Sequence, residues 1–89
     1  MFFVYVLKSE KNNRHYYGCT NSLERRIEEH NNGHTKSTKF IRPLKLVYFE
    51  KLETLKEARR REKFFKSGQG REFLKVKLAE HPPEAGGRR

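Results

Sequence analysis

The longest uninterrupted apolar run in this chain, Phe2-Phe3-Val4-Tyr5-Val6-Leu7, lies close to its start. Aromatic and β-branched residues favour a pleated backbone, and a run with no polar interruption reads as a strand buried over most of its surface. The constraint is severe because the chain has only 89 residues. A domain of that size buries roughly 60–65% of its unfolded surface, so its core is thin and must be arranged around that strand.

The remaining composition is polar. Apolar residues make up 34% and charged residues 36%. The apolar residues fall in periodic segments, which predicts a folded domain rather than a disordered chain. Lys and Arg outnumber Asp and Glu by 21 to 11, for a formal net charge of +10. Self-repulsion of that size disfavours a compact state unless a polyanion is nearby. Nucleic acid is the first candidate partner and an anionic membrane surface the second. The single cysteine, Cys19, excludes a disulfide framework within one chain and a cysteine-based zinc site. That usage fits a reducing, cytoplasmic setting. The opening run is too short for a signal-peptide core and has no basic stretch before it. No segment is long enough to span a bilayer, and of the two candidates nucleic acid, not a membrane, is the expected partner.

Coarse elements follow from turn and cap signals. Residues 2–8 form the first strand, and Lys11-Asn12-Asn13-Arg14 is turn material. His15-Tyr16-Tyr17, ended by Gly18, completes an antiparallel hairpin. Thr20 or Asn21 caps a helix that reaches Asn31, with Leu23 and Ile27 as its core face and Asn31-Asn32-Gly33 as its stop. A basic, hydroxyl-rich loop covers residues 33–43. Leu44–Phe49 reads as a third strand, with Leu44, Leu46 and Tyr48 on one face. Thr54-Leu55-Lys56-Glu57 is a capping box that opens a helix running to about Lys66. A short last helix spans about Arg71–Ala79. The predicted class is therefore α+β in the order ββαβαα: a three-stranded antiparallel sheet with helices packed on it, an α/β sandwich. The third strand has either hairpin member as its neighbour. One domain is expected over residues 1–79, followed by a flexible basic tail over 80–89, and the chain is expected to be a monomer or weak dimer.

Several side chains carry chemistry. Arg26 and His30 are four apart on the first helix and stack at the edge of its buried face. Glu62 falls on the seam of Leu55, Ala58 and Phe65 in the second helix. A carboxylate aimed at a core is costly unless a cation or donors meet it. A salt bridge to Arg26 or another base meets that need. So does a hard divalent cation, Mg²⁺ or Mn²⁺, which binds through one or two carboxylates plus water and phosphate. Tyr16 and Tyr17 point to opposite faces of their strand, so one of them packs. A phenol near a cation and a phosphate, with its pKa lowered, serves as a general base on water. None of His15, His34 and His81 has metal-ligand spacing with another ligand.

Taken in order, these residues resemble the GIY-YIG nuclease family. The first signature stands here as Phe3-Val4-Tyr5 and the second as Tyr16-Tyr17-Gly18, with the two signature tyrosines eleven residues apart, as in the family. Leu23–His30 resembles the family's arginine and histidine motif, and Glu57–Glu62 the stretch that holds its metal-binding glutamate. The likeness covers about residues 2–79. Within the family it is to small stand-alone bacterial proteins related to the nuclease domain of excinuclease. The resemblance implies a metal-dependent endonuclease that hydrolyses phosphodiester bonds in DNA, with structure or strand selectivity and a link to DNA repair or processing. It assigns one divalent cation, Mg²⁺ or Mn²⁺, to Glu62 and charge stabilisation at the phosphate to Arg26. Tyr5 then becomes the general base or positions water, Tyr16 orients phosphate or water, and His30 carries a proton or touches phosphate. Lys36, Lys39, Arg42, Lys45, Arg59 and Lys63 would hold the nucleic-acid backbone, with affinity that depends on salt rather than sequence. The chain departs from the family at Phe3 and Val4, and Arg71–Lys75 lacks the asparagine often found after the metal-ligand helix.

Two other readings stand beside this one. A nucleic-acid-binding module on the same fold, with weak or no turnover, follows from the missing asparagine. An adaptor that docks on a protein partner follows from Phe64, about half a turn from the seam of the second helix.

Overall fold

The computed structural model describes residues 1–80. The expected tail therefore falls outside the described residues, His81 included, except for Glu80. The elements are β1 (Phe2–Ser9), β2 (His15–Thr20), α1 (Leu23–Asn31), a single 3-10 turn at Lys39–Ile41, β3 (Leu44–Leu52), α2 (Leu55–Phe65) and α3 (Gly68–Glu80). The ββαβαα order is the one expected.

β1 is the middle strand of an antiparallel sheet ordered β2-β1-β3. Val4, Tyr5, Val6 and Leu7 are all buried, so both faces of the strand are covered. On one face Tyr5, Leu7 and Leu44 form a cluster with Tyr16, Leu46 and the α1 residues Leu23 and Ile27. On the other face Val6 lies between Tyr17 and Tyr48. There Phe65 of α2 stacks on Tyr17 at 6.4 Å and meets Tyr48 edge-on at 5.8 Å. The α/β sandwich is thus α1 on one side of the sheet and α2 with α3 on the other.

Several local expectations change. Tyr48 does not share a face with Leu44 and Leu46. The β1–β3 register slips between Val6 and Leu7, which pair with Tyr48 and Leu46. One extra residue, Val47, flips the alternation, as a β-bulge does. The N-cap of α1 is Ser22, which makes no side-chain cap bond. Thr20 instead ends β2, and its hydroxyl accepts from the Ser22 amide at 3.1 Å. β2 runs through Gly18, and α3 starts before Arg71. Ser67 Oγ accepts from the Gly70 amide at 3.1 Å, so the glycines that read as breakers lie in the first turn of α3. There α3 comes so close to α2 that a Cβ at Gly70 would overlap the Phe64 carbonyl.

The capping box of α2 forms as expected, with Glu57 N donating to Thr54 Oγ1 at 3.1 Å and Thr54 N to Glu57 Oε1 at 3.3 Å. Leu55, assigned to the α2 seam, is exposed. Phe64 packs on Phe65 and on Phe73 of α3, which accounts for it without a docked partner.

Arg61 ties this face to the sheet. Its Nε and Nη2 donate to the two carboxylate oxygens of Glu50, each at 2.9 Å. Its guanidinium also lies over the rings of Phe64, Phe65 and Phe73 at 4.5, 4.9 and 5.3 Å. Burial alone would raise the Glu50 pKa. Hydrogen bonds from Arg61 and Tyr48 outweigh it and hold the carboxyl below its ordinary value of 4.5. Arg61 is therefore a structural cation inside a basic run that reads as surface.

The geometry sets an expected outcome for this pair. Arg61→Ala should cost about 2–3 kcal/mol, because it strands a half-buried carboxylate. Arg61→Lys should recover only part, since it loses the bidentate fork and the ring contacts. A double-mutant cycle with Glu50→Gln in urea unfolding should return a coupling of about 1–2 kcal/mol. Because the folded pKa of Glu50 is depressed, its contribution is complete above pH 4.5 and is lost as pH falls through the lower folded value. Glu50→Gln should flatten that part of the stability–pH curve. A coupling near zero would make Arg61 a surface residue after all.

Candidate active site

β1 delivers Tyr5 to the α1 face, directly across from Gly18 on β2. The ring of Tyr5 lies over Gly18 so closely that a Cβ there would collide with the phenol oxygen. The glycine is needed for room. Without it the phenol could not lie across the edge strand. The helix spacing of Arg26 and His30 brings both to the same oxygen. Arg26 Nε donates to Tyr5 Oη at 3.3 Å, and His30 Nε2 lies 3.2 Å from it. The other imidazole nitrogen, Nδ1, is 2.8 Å from Thr38 Oγ1.

We assign the protons from this pattern. A guanidinium only donates, so the phenol oxygen accepts from Arg26; the tautomer we assign to His30 has Nε2 as the acceptor of the phenol hydrogen. His30 Nδ1 then carries the imidazole hydrogen and donates to Thr38. His30 and Thr38 are 5% and 1% exposed, which makes a satisfied network necessary. Burial lowers the His30 pKa, and the Arg26 charge lowers it further. The ring is therefore neutral and able to accept a proton at neutral pH. Burial raises the Tyr5 pKa, and the Arg26 hydrogen bond and charge do not overcome it. The phenol is neutral. The lowered phenol pKa expected beside a cation does not occur, because the strand position that fixes Tyr5 also takes it out of water.

Tyr16 packs in the same cluster as Tyr5, but its hydroxyl faces the hairpin turn, where Asn12 Nδ2 donates to it at 3.4 Å. It joins the site through its ring and not through this hydrogen-bond chain. Tyr17 stacks on Phe65 on the other face, so both members of the pair pack rather than one.

Glu62 approaches from the opposite side of β2. Cys19, next to Gly18, turns toward α2, and its thiol donates to Glu62 Oε1 at 3.0 Å. The other carboxylate oxygen is 3.0 Å from Lys66 Nζ. The basic partner of Glu62 is thus Lys66, one turn on, and not Arg26. Arg26 instead pairs with Glu29 at 2.9 Å. Burial, reinforced by Glu62, pushes the Cys19 thiol up to about 12, so it is a neutral donor to the carboxylate. Glu62 lies close enough to Tyr5 for its charge to add to the rise in the phenol pKa. The site is arranged around the edge strand, with the phenol and imidazole on one side and the carboxylate on the other.

Among the described residues no group of three or more His, Cys, Asp or Glu side chains stands together as a metal cage. Glu62 is a single carboxylate, 23% exposed, with one oxygen on the Cys19 thiol and the other on Lys66 Nζ, so a hard cation there would have to displace the lysine, which is 56% exposed. Such an ion takes one or two carboxylates and completes its shell with water and phosphate. Glu62 is the residue that would hold it.

The expected backbone contacts divide into several settings. Lys36 and Lys39 are exposed on the loop, and Arg59 and Lys63 on α2. Arg42 is exposed but also structural, since its Nε and Nη1 donate to the carbonyls of Lys39 and Asn31 at 2.8 and 3.4 Å. Lys45 is half-buried on β3, opposite Lys8. Thr38 and Cys19 are the site residues that sequence reasoning misses. Thr38 lies unmarked in a basic loop, and Cys19, beside the Gly18 turn next to the expected site, reads as a small packing residue with no catalytic role. The i, i+3 spacing of Arg26 and Glu29 is a legible signal for their ion pair.

Known proteins resemble this chain in sequence and in fold. The family model described as the GIY-YIG catalytic domain matches residues 1–75. UPF0213 protein CPE1444 of Clostridium perfringens is 49% identical over 67 residues, spanning 74% of this chain and 71% of that protein. UPF0213 protein YazA of Bacillus subtilis is 43% identical over 65 residues, 72% of this chain and 65% of the relative. The solution NMR structure of UPF0213 protein BH0048 from Bacillus halodurans superposes with a TM-score of 0.55 at 32% identity, covering 96% of this chain and 93% of that one. With the signature tyrosines, the α1 pair and the α2 carboxylate gathered around one edge strand, the chain belongs to the GIY-YIG catalytic-domain family.

Proposed function

We propose that this protein is a metal-dependent endonuclease that hydrolyses phosphodiester bonds in DNA. The observation that carries the reading is the hydrogen-bonded chain Arg26–Tyr5–His30–Thr38, with Glu62 across the same strand edge. Arg26 places a fixed positive charge where a phosphate would gather charge in the transition state. The phenol oxygen accepts one hydrogen bond from Arg26 and has a second lone pair for water. As that water attacks phosphorus, the bond from phosphorus to the leaving sugar oxygen breaks; the water's proton passes to the phenol oxygen, the phenol proton moves to His30 Nε2, and the leaving oxygen takes its proton from solvent. Thr38 holds the imidazole in the tautomer that accepts. A divalent cation held at Glu62, Mg²⁺ or Mn²⁺, supplies Lewis-acid neutralisation of the phosphate and its leaving oxygen. Lys36, Lys39, Arg59 and Lys63 supply the sequence-independent attraction to the backbone. A role in DNA repair or processing is part of this proposal.

A second reading has its own observation. Both key charges are already paired within the chain, Arg26 with Glu29 and Glu62 with Lys66. A site closed by its own ion pairs, and lacking the family's asparagine, would bind nucleic acid without cutting it.

Two outcomes separate these readings. Labelled single- and double-stranded DNA should be cut in Mg²⁺ or Mn²⁺, spared in EDTA, and spared by Glu62→Ala, which should still bind in a salt-sensitive way. Cutting by Glu62→Ala at the wild-type rate would sink the assignment, and binding without cutting by the wild type would favour the binding module. The second outcome concerns pH. Because the His30 pKa lies below 6.5, the rate should climb as pH rises through an acidic limb below that value. His30→Gln should remove the limb and lower kcat by about 10²-fold. Thr38→Val should lower kcat about tenfold with KM little changed. An unchanged limb in His30→Gln would give the proton to another group.

A further inference from the structure

The loop between α1 and β3 presents one side chain that the proposed chemistry leaves unused. Phe40 is 75% exposed, the most exposed of the large apolar side chains among the described residues. A lone exposed aromatic is ordinary on a protein surface. Three features set this one apart. The first is rigidity. Lys11 Nζ donates to the Phe40 carbonyl at 3.1 Å, and Ser9 Oγ donates to the Ile41 carbonyl at 2.7 Å. Arg42 Nε closes the turn onto the Lys39 carbonyl, and Ile41 packs inward beside the core cluster. The ring is thus held outward by a backbone tied down on both sides. The second is charge. Lys39 Nζ lies 5.3 Å from the ring centroid. A cleft of about 450 Å³ beside the ring is lined by Lys11, Asn31, Lys39, Phe40, Arg42 and Pro43, three cations and no acid. That volume lies in the lower part of the roughly 300–1,000 Å³ range of small-molecule sites. The third is position. Thr38, two residues before Phe40, is the residue that holds His30.

We infer that Phe40 is a stacking platform for an unpaired base of the nucleic-acid strand, with Lys11, Lys39 and Arg42 holding the flanking phosphates. An exposed aromatic ring offers a face to any base, whereas a paired base inside a duplex has both faces covered. A positively charged groove combined with such a ring is the sequence-tolerant mode of binding single strands. The inference rests on the nucleic-acid reading of the site and deepens it. It makes the substrate a single strand, or a duplex with a flap, gap or frayed end next to the cut.

The chain contains no tryptophan, so Phe40→Trp creates a sole indole reporter at the platform. Its fluorescence is titrated, in EDTA and at one fixed salt concentration, with an oligothymidylate, an abasic strand of the same length and a blunt duplex. Base stacking should quench the indole with the oligothymidylate, hardly at all with the abasic strand, and weakly with the duplex. In the wild-type background Phe40→Ala should weaken oligothymidylate binding about 5- to 100-fold, and Phe40→Tyr should retain it. Equal quenching by the abasic strand or the duplex would overturn the platform, as would unchanged binding in Phe40→Ala. Indole fluorescence that changes with protein concentration alone would assign the ring to a second copy of the chain. Because EDTA removes cleavage from the readout, quenching without any cutting in Mg²⁺ or Mn²⁺ would sink only the nuclease reading. Cutting without quenching would sink only the platform.

Discussion

A strand buried on both faces leaves its neighbours little choice, and β1 is that strand. Its alternating side chains hand Tyr5 and Leu7 to one side and Val4 and Val6 to the other. Each side then needs a cover. α1 covers one side through Leu23 and Ile27, and α2 covers the other through Ala58 and Phe65. The same alternation explains why a polar hydroxyl lies on a buried face of the sheet. Tyr5 is held there by its place in the pleat, and the hydroxyl is made tolerable by Arg26 and His30, which the helix spacing brings to it.

Most of this architecture is legible in the sequence because it follows from local signals. The apolar run, the hairpin turn, the Thr54–Glu57 box and the helical spacing of Arg26 and His30 each depend on residues only a few positions apart. What escapes depends on contacts between distant segments. Val47 looks like any other member of an alternating strand, and only the register against β1 exposes it as the extra residue. Ser67 and Gly68 read as a break because the cap that turns them into a helix start needs the Gly70 amide. Arg61 reads as one more surface cation until Glu50, from another element, is beside it.

The site divides along the same line. Tyr5, Arg26, His30 and Glu62 are the candidates that order, spacing and the family resemblance suggest. Their electrostatics are not legible in that way, because burial is a property of the fold. The phenol pKa is raised where proximity to a cation suggests the opposite. Thr38 carries no signal at all, since a threonine in a basic loop is the commonest of sights. Its role comes from the closure of residues 33–43 back onto α1.

The site is built around an outer strand of the sheet. β2 pairs with β1 on one side only, so the backbone donors and acceptors of its free edge are a template for another strand. Most proteins blunt such an edge with a bulge, a proline or a short strand. Here Arg59, whose charge reaches Cys19 on β2, and the net charge of +10 make the approach of a second copy electrostatically unfavourable. That protection is conditional. A bound polyanion neutralises it, so while the site is engaged the ligand itself must shield the edge. Bound to an excess of short anionic fragments, this protein would have the weakest defence against strand-to-strand association, and colloidal stability and ligand occupancy become linked quantities.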